Sequence, residues 1–451
     1  VLRYRNQPWA ARVGLDGLSD AEWIAHFGRF EPLPGSLPEP LALRYHGHQF
    51  RSYNPDLGDG RGFLFAQMYD LGDERLLDLG TKGSGTTPWS RGGDGRLTLK
   101  GGVREILATS MLEALGVNTS KSFSLIETGE ELYRGDEPSP TRAAVLVRLN
   151  HSHIRIGSFQ RLAYHGETEL ILKLVDHSIR NYLPDLWHDE VATRVAGFLR
   201  EVARRTALLG GQWMAAGFVH GVLNTDNINI TGESFDYGPW RFLPAYDPQF
   251  TAAYFDTGGL YAFGRQPDTL LWNLARLGGC LLPLAAKADL EAALEPYWAN
   301  MHHGFAEAII ARLGLQSQGD EVDADLGRAL YAFLLESQAP YEQCFFDLYA
   351  GAARVDRWKH SPSAAFYAAP GFAEVRALLS LYQPDVSAQP QHPYFAGTPC
   401  TMLVDDVEAL WAPIAERDDW SHFHAKLAAI ATMAAAYGTT PVPPSDRIAL
   451  A

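Results

Sequence analysis

The residues best able to do chemistry are concentrated in His220-Gly-Val-Leu-Asn-Thr-Asp-Asn227 and, a little further on, Asp236. Asn227 and Asp236 offer two hard oxygen donors from neighbouring loops. Mg²⁺ takes few protein ligands of this kind and completes its octahedron with water and nucleotide phosphates, with Mn²⁺ as the alternative ion. A turn held by an Asx hydrogen bond explains each residue singly. Together, between a long helix and a hairpin, they suit a metal. Asp226 is the nearest carboxylate that could accept a proton. Asp236, as a loop carboxylate, is expected to serve a ligand and to carry little of the fold.

A second set of residues could hold an anion. Lys82 follows a strand-like run, Arg75–Leu79, and Glu105 falls in the first turns of the next helix. Such an ion pair places an ammonium on nucleotide phosphates. A surface lysine and a solvated glutamate fit the same positions, and helical phase puts Glu105 opposite the apolar stripe of Val103, Ile106, Leu107, Met111 and Ala114. Small residues in Leu57–Arg61, Gly80–Gly85 and Arg91–Arg96 would let backbone N–H groups approach an anion, though none of the three is a Walker A loop and plain loops account for them equally. Gly58, Gly60, Arg61, Asp94 and Gly95 lie in these stretches. Arg148 and Arg155 could add bidentate phosphate contacts, or be solvated like most arginines. The histidine pairs His46/His48, His151/His153 and His302/His303 have no Cys or carboxylate at a spacing that completes a zinc tetrahedron, so they read as hydrogen-bonded structural residues.

The segment 62–149 offers short strand-like runs (62–69, 75–79, 143–149) around one helix, 103–115. A long amphipathic helix spans 189–217, the polar loop follows, and Ile228-Asn-Ile230 with the Thr231-Gly232 turn predicts a hairpin. Beyond Asp268 the patterns are helical, over 270–282, 289–315, 323–336 and 373–382. This is the order of an α+β, protein-kinase-like two-lobed fold. Its sheet-rich N-terminal lobe, 1–160, would carry the nucleotide loops, and its helical C-terminal lobe, 161–451, the catalytic loop, the metal site and extra C-terminal helices. Order alone is an analogy. Kinases of small molecules often place an aspartate base where this chain has Val222, and valine accepts no proton.

Composition narrows the classes further. A chain of 451 residues exceeds the size at which one core keeps growing, and 46% apolar with 20% charged residues is ordinary for a globular protein. A formal charge of −15 repels nucleic acid and anionic membranes, so neither is an expected partner. No apolar run approaches a membrane span. Cys280, Cys344 and Cys400 are odd in number and far apart, which suits a reducing compartment, the cytoplasm.

Taken jointly, Tyr45-His-Gly-His-Gln-Phe50, Leu57-Gly-Asp-Gly-Arg61, Lys82-Gly-Ser-Gly85, Ser90-Arg-Gly-Gly-Asp-Gly-Arg96, Val103-Arg-Glu105, Asn224-Thr-Asp-Asn227 and Phe235-Asp-Tyr-Gly-Pro239 resemble the selenoprotein O family, the pseudokinase-like protein adenylyltransferases. The match runs from about Tyr45 to Pro248. It implies a kinase-like fold that binds ATP reversed relative to a kinase and passes AMP, with release of pyrophosphate, to Ser, Thr or Tyr hydroxyls of proteins, itself among them. Carried over, Gly58, Gly60, Arg61, Lys82, Asp94, Gly95, Arg148 and Arg155 resemble the nucleotide contacts, Glu105 the partner of Lys82, Asp226 the proton acceptor, and Asn227 and Asp236 the Mg²⁺ ligands. The family usually has a small residue where Arg51 stands, and the segment after Pro248 diverges. Two other readings use the same residues: an atypical kinase moving the γ-phosphate, and a non-catalytic pseudokinase scaffold that binds ATP.

Overall fold

Leu76–Lys82 and Thr141–Asn150 are apolar enough to be covered on both faces, and they form the middle of a seven-stranded sheet. The computed structural model describes residues 1–440 apart from 35 and 136. From one edge the sheet runs Leu2–Arg5, Lys121–Leu132, Thr141–Asn150, Leu76–Lys82, Leu64–Tyr69 and Ser36–Leu41, with the short strand Leu97–Thr98 also pairing to Thr141–Asn150. All these pairings are antiparallel.

Across the sheet lies the helix Leu99–Ala114, started by Thr98, whose hydroxyl accepts the Gly101 N–H at 3.1 Å. Val103, Ile106, Leu107 and Met111 are buried as their spacing predicts, but so is Glu105. The helix has little solvent face, because Ser421–Tyr437 returns from the far end of the chain and packs on it. Thr439 donates to the Ala114 carbonyl at 2.8 Å, Lys100 pairs with Glu408 at 2.8 Å, and Asp418 accepts from Arg3 at 2.9 Å and Arg142 at 2.7 Å.

The remainder is helical. Val191–Ala216 is its longest helix among the described residues, and Gly217 closes it at φ 64°, a left-handed value that favours glycine. Gln266–Leu281, Asp320–Ser337 and Ala373–Leu379 stand where the pattern placed helices. The run expected over 289–315 is two helices, Lys287–Leu294 and Tyr297–Arg312, divided at Pro296, whose ring has no N–H to continue the first. The expected hairpin at 228–230 does not form either. Ile156 N–H donates to Ile228 O at 3.0 Å and Ile230 N–H to Ile154 O at 3.1 Å, so this segment pairs with 154–156 instead. The protein is thus α+β, with a sheet-rich N-terminal part and a helical C-terminal part. No helix among the described residues is long and apolar enough to cross a membrane.

Candidate active site

Strand register sets the first two cations. Lys82 lies opposite Leu146 and Gly80 opposite Arg148, so Arg148 is two residues from Lys82's partner and projects from the same face of the sheet. Both converge on Asp236 Oδ1, Lys82 Nζ at 3.0 Å and Arg148 Nη1 at 3.1 Å. Lys82 Nζ also pairs with Glu105 Oε1, so the buried glutamate stands behind the lysine. The third cation depends on the pairing of 154–156 with 228–230, which brings Arg155 Nη1 to 3.2 Å from the Asp226 carbonyl. Its guanidinium is sandwiched between Tyr45, 4.3 Å from the ring centre, and Phe235, at 4.8 Å.

The polar loop is a single 3₁₀ turn, Thr225–Asn227, and its side chains are anchored by the segment 45–50. The Thr225 hydroxyl accepts the His48 N–H at 2.7 Å and donates to Gln160 Oε1 at 2.6 Å. Asn224 Oδ1 accepts the Phe50 N–H at 3.2 Å and the Tyr261 hydroxyl at 2.6 Å. Gly47 lies so close that a Cβ there would sit 2.8 Å from Asp226 Oδ1. Val222 is half-buried, with its carbonyl accepting the Asn227 amide N–H at 3.0 Å.

The two aspartates have opposite electrostatics. Burial raises the Asp226 carboxyl to about 6 against the opposing charge of Arg155, and Oδ1 has no hydrogen-bond partner. Burial would raise Asp236 too, but Lys82, Arg148 and Arg155 hold it well below the usual carboxylate range. Asp236, itself half-buried, thus joins the buried side chains of Lys82 and Arg148 in one ion network, more contact than the expected lone loop carboxylate. It also has a left-handed φ of 64°.

These groups line one cleft of ≈ 650 Å³, together with Gly58, Gly60, Arg61, Trp89, Asp94 and Gly95. Gly58 and Gly60 pass beneath Trp89, where a Cβ on Gly58 would lie 2.4 Å from the indole and one on Gly60 2.9 Å from the Trp89 carbonyl. Gly95 has φ 67° and a Cβ there would fall 2.3 Å from the Gly85 carbonyl, so both conformation and space require glycine. Arg61 is exposed at the rim. Asp94 is exposed as well and is held by a bidentate pair with Arg134, at 2.6 and 3.0 Å, which keeps its carboxyl below the ordinary value. Asn227 is half-buried and does not line the cleft wall.

Each of the two expected donors keeps one oxygen of the hard type that a divalent cation takes. Asp236 stays ionised and receives both cation contacts on Oδ1, which leaves Oδ2, and Asn227 uses its amide nitrogen on Val222, which leaves Oδ1. Of the histidines, His46 bonds Tyr53 at 2.9 Å and His48 bonds Gln160 at 2.7 Å. Among the described residues, no three His, Cys, Asp or Glu gather as a metal set.

Several lining residues had no role in the sequence reading: Tyr45 as the platform for Arg155, Trp89 over the glycines, and Arg134 on Asp94. Tyr45 opens a motif quoted above, so its position was legible, but its stacking was not. Arg134 reaches Asp94 from a different strand end and left no local signal.

An open cleft with three converging cations, one ionised carboxylate among them and one buried carboxyl beside them is the class of site that suits a nucleotide polyphosphate. The family described as "Protein adenylyltransferase SelO" matches residues 1–431. Curated relatives include the "Protein nucleotidyltransferase YdiU" of Trichormus variabilis, 44% identical over 94% of this chain and 89% of its own. Those of Synechocystis, 46% identical over 94% and 91%, and of Vibrio cholerae, 42% identical over 76% and 68%, carry the same name. The chain belongs to the SelO family of protein adenylyltransferases.

Proposed function

We propose that this chain binds ATP in the cleft and transfers its AMP to Ser, Thr or Tyr hydroxyls of proteins, itself among them, releasing pyrophosphate. The fold is read as a kinase-like pair of lobes, 1–160 and 161–451, with the site between them. Its buried thiols Cys280, Cys344 and Cys400 suit the cytoplasm.

The observation that carries the reading is the separation of the two carboxyls. A pair of acids pushed apart by its surroundings assigns its own roles. Asp226, raised to about 6, is ionised at neutral pH yet basic enough to take the proton of an incoming hydroxyl. Asp236, fixed as an anion among Lys82, Arg148 and Arg155, orders those cations. As the hydroxyl oxygen bonds to the α-phosphorus and the bond to the β-phosphate oxygen breaks, negative charge grows on pyrophosphate. Lys82, Arg148, Arg155 and Arg61 supply the field that stabilises it. Glu105 keeps the Lys82 ammonium in place, while Gly58, Gly60, Asp94 and Gly95 shape the loops around the nucleotide. Mg²⁺, held by Asn227 and Asp236, would neutralise phosphate charge.

Product analysis tests the reading. Incubated with ATP and Mg²⁺, the protein should form pyrophosphate together with an adduct of adenylyl mass. ADP with an adduct of phosphoryl mass would establish a kinase, and bound ATP with neither product a scaffold.

A further inference from the structure

The acceptor in this reaction is a polypeptide, and the surface it must approach continues outward from Asp226. The hairpin Gly47–Gln49/Ser52–Asn54 starts against the Asp226 carboxylate at Gly47, and Gln49 still lines the cleft. At its tip, Phe50 and Arg51 take left-handed φ values of 47° and 64°. The Phe50 N–H is tied to Asn224 Oδ1 and to the Tyr261 hydroxyl, each at 3.2 Å. From Gly47 to Phe50 the chain spans at most roughly 10 Å.

A loop from the helical part meets this tip. Phe255 lies 5.9 Å from Phe50, ring centre to ring centre, and Tyr254 lies 5.1 Å from Phe255. Buried Asp256 fixes the loop by accepting the Leu260 and Tyr261 N–H groups, both at 2.8 Å. The Tyr261 ring packs 4.9 Å from Phe50 and completes the join. The rings are nonetheless left in water, with exposures of 84% for Tyr254, 48% for Phe255 and 38% for Phe50. Single exposed apolar residues need no explanation, whereas three aromatics joined ring to ring in series, on backbone fixed by hydrogen bonds, form a continuous exposed patch of the kind interaction sites use.

We propose that this aromatic ridge docks the protein substrate, taking a large apolar side chain two or three residues from the acceptor hydroxyl in an extended segment. The inference rests on the adenylyl-transfer reading. An extended segment advances about 3.3 Å per residue, so that spacing covers the reach from Gly47, beside Asp226, to Phe50 at the near end of the ridge, from where the side chain extends toward Phe255. Because the ridge stands apart from Lys82, Arg148 and Arg155, it affects which hydroxyl is presented and leaves nucleotide binding alone.

The test uses short peptides with a single tyrosine acceptor, one carrying Leu and one carrying Asn two residues away, incubated with α-labelled ATP. Wild-type protein should label the Leu peptide with a KM about tenfold lower, the effect of burying one aliphatic side chain. In the Tyr254→Ser/Phe255→Ser double variant that difference should vanish, while the KM for ATP stays at its wild-type value. Equal KM values for the two peptides on wild-type protein, or a preference that survives the double substitution, would overturn the docking surface alone. α-Label on the protein itself but on neither peptide would overturn the inference alone, and no α-label on peptide or protein would overturn the transfer reading with it. A double variant that dissociates a wild-type dimer yet keeps the peptide preference would assign the ridge to self-association and overturn the inference.

Discussion

Replacing Asp226 by Asn should make the protein more stable at neutral pH while abolishing transfer. The carboxyl moves from an ordinary 3.8 in the unfolded chain to about 6 in the folded protein. This is the reverse of the usual salt-bridged aspartate, because the unfolded chain gives up its proton first. Between about pH 4 and pH 6 folding stability therefore falls as pH rises, and above that range the penalty is constant. Integrated, ionised Asp226 destabilises the fold by about 3 kcal/mol at pH 7.5 and about 1.5 kcal/mol at pH 5. An amide has nearly the shape of the protonated acid and bears no charge, so Asp226→Asn removes that penalty. For 451 residues the unfolding entropy is roughly 0.9 kcal/mol per kelvin, so the gain in Tm is about 3 °C at pH 7.5 and about half that at pH 5. Thermal melts of nucleotide-free protein across this range, paired with a transfer assay, read both effects. A variant that melts at or below wild type at pH 7.5, or gains equally at pH 5, would show that the carboxylate is not desolvated as argued.

Four further outcomes follow from the same geometry. Transfer by the wild-type protein should rise through an apparent pKa near 6 as Asp226 loses its proton, so a rate independent of pH between 5 and 7.5 would remove it as the base. Lys82→Met should lower transfer by at least about a hundredfold and also lower Tm, because Glu105 is left buried without its cation; the Lys82→Met/Glu105→Gln double variant should recover Tm and not activity, and recovery of both would make the pair purely structural. Tyr45→Leu should raise the KM for ATP through the loss of the stack on Arg155, and Tyr45→Phe should restore it, so equal KM values for the two variants would contradict the stacking role. Gly47→Ala would push a methyl to 2.8 Å from Asp226 Oδ1 and should reduce kcat about tenfold or more with a small change in Tm, whereas an unchanged kcat would show that Asp226 needs no such close fit.

The chemistry was legible where residue type and local order were enough. Lys82 at the end of one strand-like run, Arg148 within another and Asp226 ahead of Asp236 are visible in the sequence as candidates with a bland alternative each, and the fold brings all four to one cleft. Helical phase puts Glu105 opposite the apolar stripe, and it is buried there rather than solvated because that side of the helix faces Lys82 and the cleft, a strand contact the phase of one helix does not contain. The strand Lys121–Leu132 escapes the sequence pattern because its apolar alternation is masked. Ser122 and Ser124 are buried and hydrogen-bonded, to Thr109 at 3.0 Å and Trp23 at 2.8 Å, so they behave as core while reading as polar. Ile228–Ile230 reads locally as a hairpin, yet its partner is 154–156, a contact that no sequence window contains. That non-local pairing is also what places Arg155 at Asp226.

In the proposed reaction the phosphorus presented to Asp226 is the α-phosphorus. The direct measurement is transfer from ATP labelled at either the α- or the γ-phosphate, with Mg²⁺ present and wild-type protein compared with Asp226→Asn. Protein-bound label from the α position alone, lost in the variant, is the result expected. Label retained only from the γ position would contradict the account.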